Sequence, residues 1–194
     1  EINNTELERV PSYKYLGVLL TETLSADCQW TKVQQTTCSV PYLVKSLKRQ
    51  GFKQEILVNV YRSLGLSHFI YSAPLLTSAS DKAKTEMKIF HSRMLRIIGI
   101  SETEALQKYK LQHPIDTVET SCVNLLTRIL ADEDHPLTAK IPRVGRTTRN
   151  NKTFKFKTSK SKSNAYQNSF LQKFLRTLRD GCPDLYTTKK TPKT

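Results

Sequence analysis

The sequence predicts a mostly α-helical protein that opens on a β-hairpin and closes on a basic tail. Three observations lead there. Residues 6–20 hold two β-prone runs, "ELERV" and "YKYLGVLL", around a Pro11-Ser12 turn signal. From Asp27 onward apolar residues recur at helical spacing. After Asp134 no acidic residue occurs until Asp180, while Lys and Arg recur throughout. The expected organisation is a hairpin over 1–24, a three-helix bundle over 25–100, an additional helical pair over 101–138, and a tail over 139–194 with one C-terminal helix.

Gly17 interrupts the second β run, where a glycine marks a kink or a close approach of backbone to another group. The first helix carries Trp30, Val33, Thr37, Val40, Leu43, Val44 and Leu47 and ends at Gly51, a C-cap residue. Pro41 lies inside it and is expected to kink or split it. A second helix fits 53–67, with Ile56, Leu57, Val60, Tyr61 and Leu64 as its stripe, and a short apolar piece follows over 68–76. A third fits 81–98, capped by Ser80 or Asp81 and closed by Gly99. Ser101 and Glu104 form a capping box for a fourth helix ending near Leu111. A fifth begins after Pro114 and stops at the acidic stretch 132–134.

In the tail, basic residues fall at every third position from 140 to 155, with few apolar side chains between them. Such a chain buries too little surface to offset its ordering entropy, so disorder is expected there when it is free. A last helix fits 165–180, with Phe170, Phe174, Leu175 and Leu178 on one side and Gly181 as its cap.

The 194 residues carry a net charge of +14 and a mean hydropathy of −0.47. Residues 135–194 hold fifteen Lys/Arg against Asp180 and Asp184, a net of +13; residues 28–100 hold eleven against three, a net of +8. Segments 1–27 and 101–134 are acidic, at −3 and −4. A basic helical segment and a basic tail point to a polyanionic partner.

Catalytic signatures are missing. The sequence contains no Gly-rich phosphate loop, G-x-S-x-G or H-E-x-x-H, and no carboxylate pair in an apolar strand–turn setting. Asp132, Glu133 and Asp134 read as a solvated helix end. Cys28, Cys38, Cys122 and Cys182 make no C-x-x-C, which fits free thiols in a reducing compartment. His113 and His135 near Cys122 match no zinc spacing, so no metal ligand and no catalytic residue is assigned. Without a charged-then-apolar leader or a membrane-length apolar stretch, an intracellular location, nuclear or cytoplasmic, is expected, with neither membrane nor small-molecule partner.

Binding has more support. Lys45, Lys48 and Arg49 share a helix face at i, i+3 and i+4, with Lys32 farther up the same predicted helix. Cations so placed can track a phosphate backbone. Arg143, Arg146 and Arg149 extend the candidate cations into the tail. Tyr13 and Tyr15 flank Lys14 and offer aromatic faces to bases or sugars.

The order of these elements resembles the end of a reverse transcriptase of the non-LTR, LINE-like retrotransposon class. The likeness runs through "YKYLGVLL" (13–20), "LSADCQWTKV" (24–33), "LVKSLKR" (43–49), "LVNVYRSLGLSHFIYSAPLL" (57–76), "FHSRMLRIIGI" (90–100) and "RILADEDHPL" (128–137), about two thirds of the sequence. The resemblance implies that Lys14, Tyr15, Leu16 and Gly17 belong to a primer-grip hairpin closing a truncated palm, and that 25–100 forms a thumb. It implies RNA template, DNA primer and RNA–DNA hybrid as partners. Catalytic carboxylates and their Mg²⁺ would lie in a palm upstream of Glu1, leaving no cofactor in this chain. Pro41, and Pro74-Leu75-Leu76 where relatives often carry a Trp, depart from the pattern. Two alternatives remain: a stand-alone basic helical nucleic-acid-binding module, and a decayed helical interaction protein.

Overall fold

The computed structural model describes residues 10–23, 25–132, 134–140, 143–147, 152–156, 169–181 and 187–189. The protein is mostly helical and starts on a two-stranded antiparallel hairpin, as the sequence predicts. The chain divides into two compact units, Glu1–Val118 and Glu119–Thr194.

The hairpin turns five residues later than its turn signals indicate. β1 (Ser12–Tyr15) pairs with β2 (Val18–Thr21) in the register Ser12 to Thr21 and Tyr15 to Val18. The run "YKYLGVLL" is therefore the hairpin itself, turning at Leu16-Gly17, and Pro11-Ser12 precedes it. Both turn residues have positive φ, 43° at Leu16 and 83° at Gly17, the pattern of the tight turns that match the twist of paired strands. Glycine takes this conformation freely, whereas Leu16 takes it at a cost of about 1 kcal/mol. Residues 6–9 of the expected first run lie outside the described residues.

Helix α1 (Ala26–Thr37) is capped by Ser25, whose Oγ accepts from the Asp27 N–H at 3.3 Å. α2 (Val40–Arg49) follows after a break at Cys38-Ser39, with Pro41 in its first turn, where a missing N–H costs no helical bond. The split expected at Pro41 thus falls just before it. α3 (Gln54–Val60) runs on without a break through a π-helical segment (Tyr61–Leu66) into α4 (Ser67–Tyr71), and α5 (Ala73–Leu76) ends that region. The 68–76 piece is therefore helical. Its apolar side chains obscure helix periodicity because Phe69, Ala73 and Leu76 are all buried.

Within the π segment, Gly65 leaves room for an aromatic ring. A Cβ on Gly65 would lie 2.7 Å from the Tyr61 ring, which is wholly buried. α6 (Asp81–Ile98) begins at Ser80, whose Oγ accepts from the Ala83 N–H at 3.2 Å, and ends at left-handed Gly99. Its buried face is Ala83, Met87, His91, Met94, Leu95 and Ile98. α7 (Glu102–Gln107) carries the predicted Ser101 cap, with Glu104 N–H to Ser101 Oγ at 3.1 Å, but stops four residues before Leu111. Leu111 N–H instead closes onto the Ala105 carbonyl, past Lys110 at positive φ. α8 (Pro114–Ala131) spans the boundary between the units.

Inside unit 1, Tyr61 Oη and His91 Nδ1 share a buried 2.9 Å hydrogen bond, and the His113 ring packs edge-on to His91 at 5.0 Å. Burial, with a smaller contribution from His113, lowers the His91 pKa to about 4. Burial also raises the Tyr61 pKa, so both partners are neutral near pH 7.

In unit 2, Thr138 of α9 (Pro136–Lys140) donates to the Ile129 carbonyl at 2.7 Å. β3 (Arg143–Thr147), β4 (Lys152–Phe156) and β5 (Thr187–Lys189) form an antiparallel sheet in the order β3-β4-β5. Parts of the basic stretch expected to be disordered are thus strands. Val144, Thr147, Thr153, Phe154 and Phe156 supply β-branched and aromatic propensity that a count of apolar residues overlooks. α10 (Phe170–Gly181) starts five residues after the expected 165 and buries Phe174 and Leu175; 165–168 lie outside the described residues. Lys173 pairs with Glu119 at 2.8 Å. Burial pushes the Cys122 thiol of α8 up to about 12, keeping it protonated. Among the described residues no helix is long and apolar enough to cross a membrane.

Two predictions arise. Gly65→Ala adds helix propensity of about 1 kcal/mol, yet its Cβ meets a buried ring with nowhere to go, so urea denaturation should show a net loss of about 1–2 kcal/mol. His91 binds a proton in the unfolded chain near pH 6.5 but in the folded one only near 4. Its stabilisation is therefore complete above 6.5 and is lost as pH falls to 4, at no more than about 1.4 kcal/mol per pH unit. The difference between wild-type and His91→Asn stability curves should show that slope in this window.

Candidate nucleic-acid interface

Sequence spacing puts Lys45, Lys48 and Arg49 on one face of α2; folding sets that face against the last turns of α6. The two helices enclose an open groove of about 760 Å³, lined by Lys45, Lys48 and Arg49 on one side and Arg93, Arg96 and Ile97 on the other. Cys38, Pro41 and Tyr42, from the start of α2 and the break before it, also line it. Among the described residues no carboxylate lines it. Neither α2 nor α6 after Glu86 contains an acidic residue, and Glu86 is taken up by Trp30 Nε1 at 2.7 Å and Gln34 Nε2 at 2.9 Å. Trp30, part of the apolar stripe predicted for the first helix, is thus a buried strut between α1 and α6.

The five cations do different work. Lys48 Nζ donates to the Ile97 carbonyl at 2.8 Å, satisfying an acceptor that the α6 C-terminus leaves open. Lys45, Arg49, Arg93 and Arg96 are exposed and make no ion pair or side-chain hydrogen bond among the described residues. Four unpaired like charges in one groove repel one another, and an anion placed between them relieves that repulsion.

The hairpin and its tip form a second, smaller site. A groove of about 530 Å³ is lined by Lys14, Leu16, Gly17, Lys32, Thr36, His68 and Tyr71, among others. Lys32 Nζ donates to the Gly17 carbonyl and Tyr71 Oη to the Leu16 carbonyl. Leu19 N–H donates to Gln29 Oε1 at 2.8 Å. α1 and α4 therefore hold the turn in place. Lys32, expected to contact phosphates, lies against the turn and lines this groove rather than the α2/α6 groove. Tyr13, Tyr15 and Leu16 remain exposed at 62%, 58% and 73%.

The structure thus brings Lys45, Lys48 and Arg49 together, groups Lys14, Leu16 and Gly17 with Lys32 elsewhere, and leaves Tyr15 exposed on β1. Arg143 and Arg146 lie on β3, and Arg149 lies outside the described residues. Arg93, Arg96 and Tyr42 escaped the sequence reading. The signal for the arginines was their i, i+3 spacing at the α6 C-terminus; which helix they face is a tertiary fact. Among the described residues no group of three His, Cys, Asp or Glu is placed to hold a metal ion.

No family model matches the chain, and no curated protein or solved structure shows significant similarity to it.

The division of labour among the cations is testable by thermal unfolding. Lys48→Ala should cost about 0.5–1 kcal/mol, because it strips a helix C-terminus of its donor. Lys45→Ala, one turn away, should leave stability unchanged within ~0.5 kcal/mol.

Proposed function

We propose that this chain binds the sugar-phosphate backbone of nucleic acid through the α2/α6 groove, as the hairpin-and-thumb part of a reverse transcriptase of the non-LTR class. The observation that supports it is the convergence of Lys45, Arg49, Arg93 and Arg96 on one groove without a carboxylate among them. A structural salt-bridge cluster would pair its charges. This one leaves them free for a polyanion.

On this reading the ligand is a primer–template, an RNA–DNA hybrid formed by an RNA template and a DNA primer. The helices hold its phosphates, and the hairpin tip, with Lys14 and exposed Tyr15 and Leu16, meets the primer end. Leu16 at positive φ supports that role, since backbone strain persists where the surroundings hold it, and Tyr71 and Lys32 do so here. The chain's part is grip and positioning.

The test is the salt dependence of binding to a fluorescein-labelled RNA–DNA hybrid, read by anisotropy on the full chain. Replacing Lys45, Arg49, Arg93 and Arg96 together by Ala should lower the slope of log K against log salt by about 1 for each phosphate that is no longer neutralised. All four are exposed, so the fold should survive, as circular dichroism would verify. A slope equal to that of the wild type would remove the groove from the binding surface.

A further inference from the structure

Tyr42, in the first turn of α2, lines the α2/α6 groove and is 77% exposed, the most exposed of the large apolar side chains on the described residues. Its hydroxyl makes no hydrogen bond among the described residues, and its ring belongs to none of their aromatic pairs. An isolated exposed tyrosine is ordinary. Tyr42 differs in position: with Lys45 and Arg49 it stands at i, i+3 and i+7 on one helix face, about 10 Å of helix rise from end to end. Pro41 beside it stiffens the first turn that carries it.

We infer that Tyr42 stacks on an unpaired base, so that the groove takes a nucleic acid where a duplex gives way to a single-stranded extension, at a place distinct from the primer end met by the hairpin tip. The inference rests on the nucleic-acid reading above and names the part of the ligand that occupies the groove. Inside a duplex each base face is covered by its neighbours, and a ring beside the backbone meets only sugar. At a duplex end or in a single strand a face is open, and an aromatic ring next to backbone-tracking cations is the arrangement that captures it. Tyrosine suits this because it offers a wide flat surface while losing only two side-chain torsions on binding. Stacking needs no particular base, so the preference is for the junction rather than for a sequence.

The test compares two RNA–DNA hybrids with equal numbers of phosphates. One carries a short single-stranded extension with bases; the other carries the same extension built from abasic residues. The wild-type chain should bind the first at least about fivefold more tightly, the effect of one stacked base. Tyr42→Ala should bind both alike, at the abasic affinity and with an unchanged salt slope, and Tyr42→Phe should restore the difference. Equal wild-type affinity for the two hybrids overturns the stacking inference while leaving the cationic groove intact. Loss of salt slope in Tyr42→Ala also overturns it, since the ring would then be organising the cations. Failure of the wild-type chain to bind either hybrid would instead overturn the nucleic-acid reading itself.

Discussion

Unit 1 depends on one buried interaction, the hydrogen bond between Tyr61 Oη and His91 Nδ1. Both residues are at most 2% exposed, and neither can take a charge without leaving that charge in an apolar interior. The bond therefore holds both partners neutral and ties the π-helical segment to α6. It also accounts for the local backbone. Tyr61 must lie flat across Gly65 to reach His91, and Gly65 is the residue whose missing side chain allows it. The same ring packs edge-on to Phe90 at 6.0 Å, while Phe69 lies 6.0 Å from Phe90 and 5.6 Å from Trp30. One aromatic cluster thus links α1, the π segment, α4 and α6.

With α6 held this way, its surface cations acquire fixed positions. Arg93 and Arg96 follow His91 by two and five residues, so the burial of His91 turns them outward toward α2. Glu86 binds α1 at one end of the helix and Lys48 binds the Ile97 carbonyl at the other. Thus α6 is fastened near both ends, and the groove is bounded by rigid helices. Rigid placement matters for charge, because the mutual repulsion of Lys45, Arg49, Arg93 and Arg96 is met in advance by the packing beneath them. A polyanion then finds its partners already in place and loses less entropy on binding.

Legibility from sequence followed the range of the interactions. Ser80 and Gly99 at the ends of α6, Ser101 before α7 and the break near Pro41 were readable because caps and proline act within a few residues. The turn at Leu16-Gly17 was not, since leucine carries no turn signal and the turn is held by Tyr71 on the Leu16 carbonyl and Lys32 on the Gly17 carbonyl, 55 and 15 residues along the chain. The π segment was hidden for a like reason: Tyr61, which opens it, bonds to His91, thirty residues away. The strands at Arg143–Thr147 and Lys152–Phe156 depend on pairing between segments, which composition cannot report. At the candidate site, the α2 face was readable from i, i+3, i+4 spacing. Its pairing with Arg93 and Arg96, the diversion of Lys32 to the hairpin and the exposure of Tyr42 all required knowing which helices meet.

A basic tail can bind a polyanion whatever the fold, so affinity alone does not locate the interface. Photo-crosslinking does. An RNA–DNA hybrid carrying photoreactive thiolated bases, bound to the full chain and irradiated, should leave adducts on peptides covering 39–49 and 90–97, the two walls of the α2/α6 groove. Adducts confined to peptides from 139–194 would contradict the placement of nucleic acid in that groove.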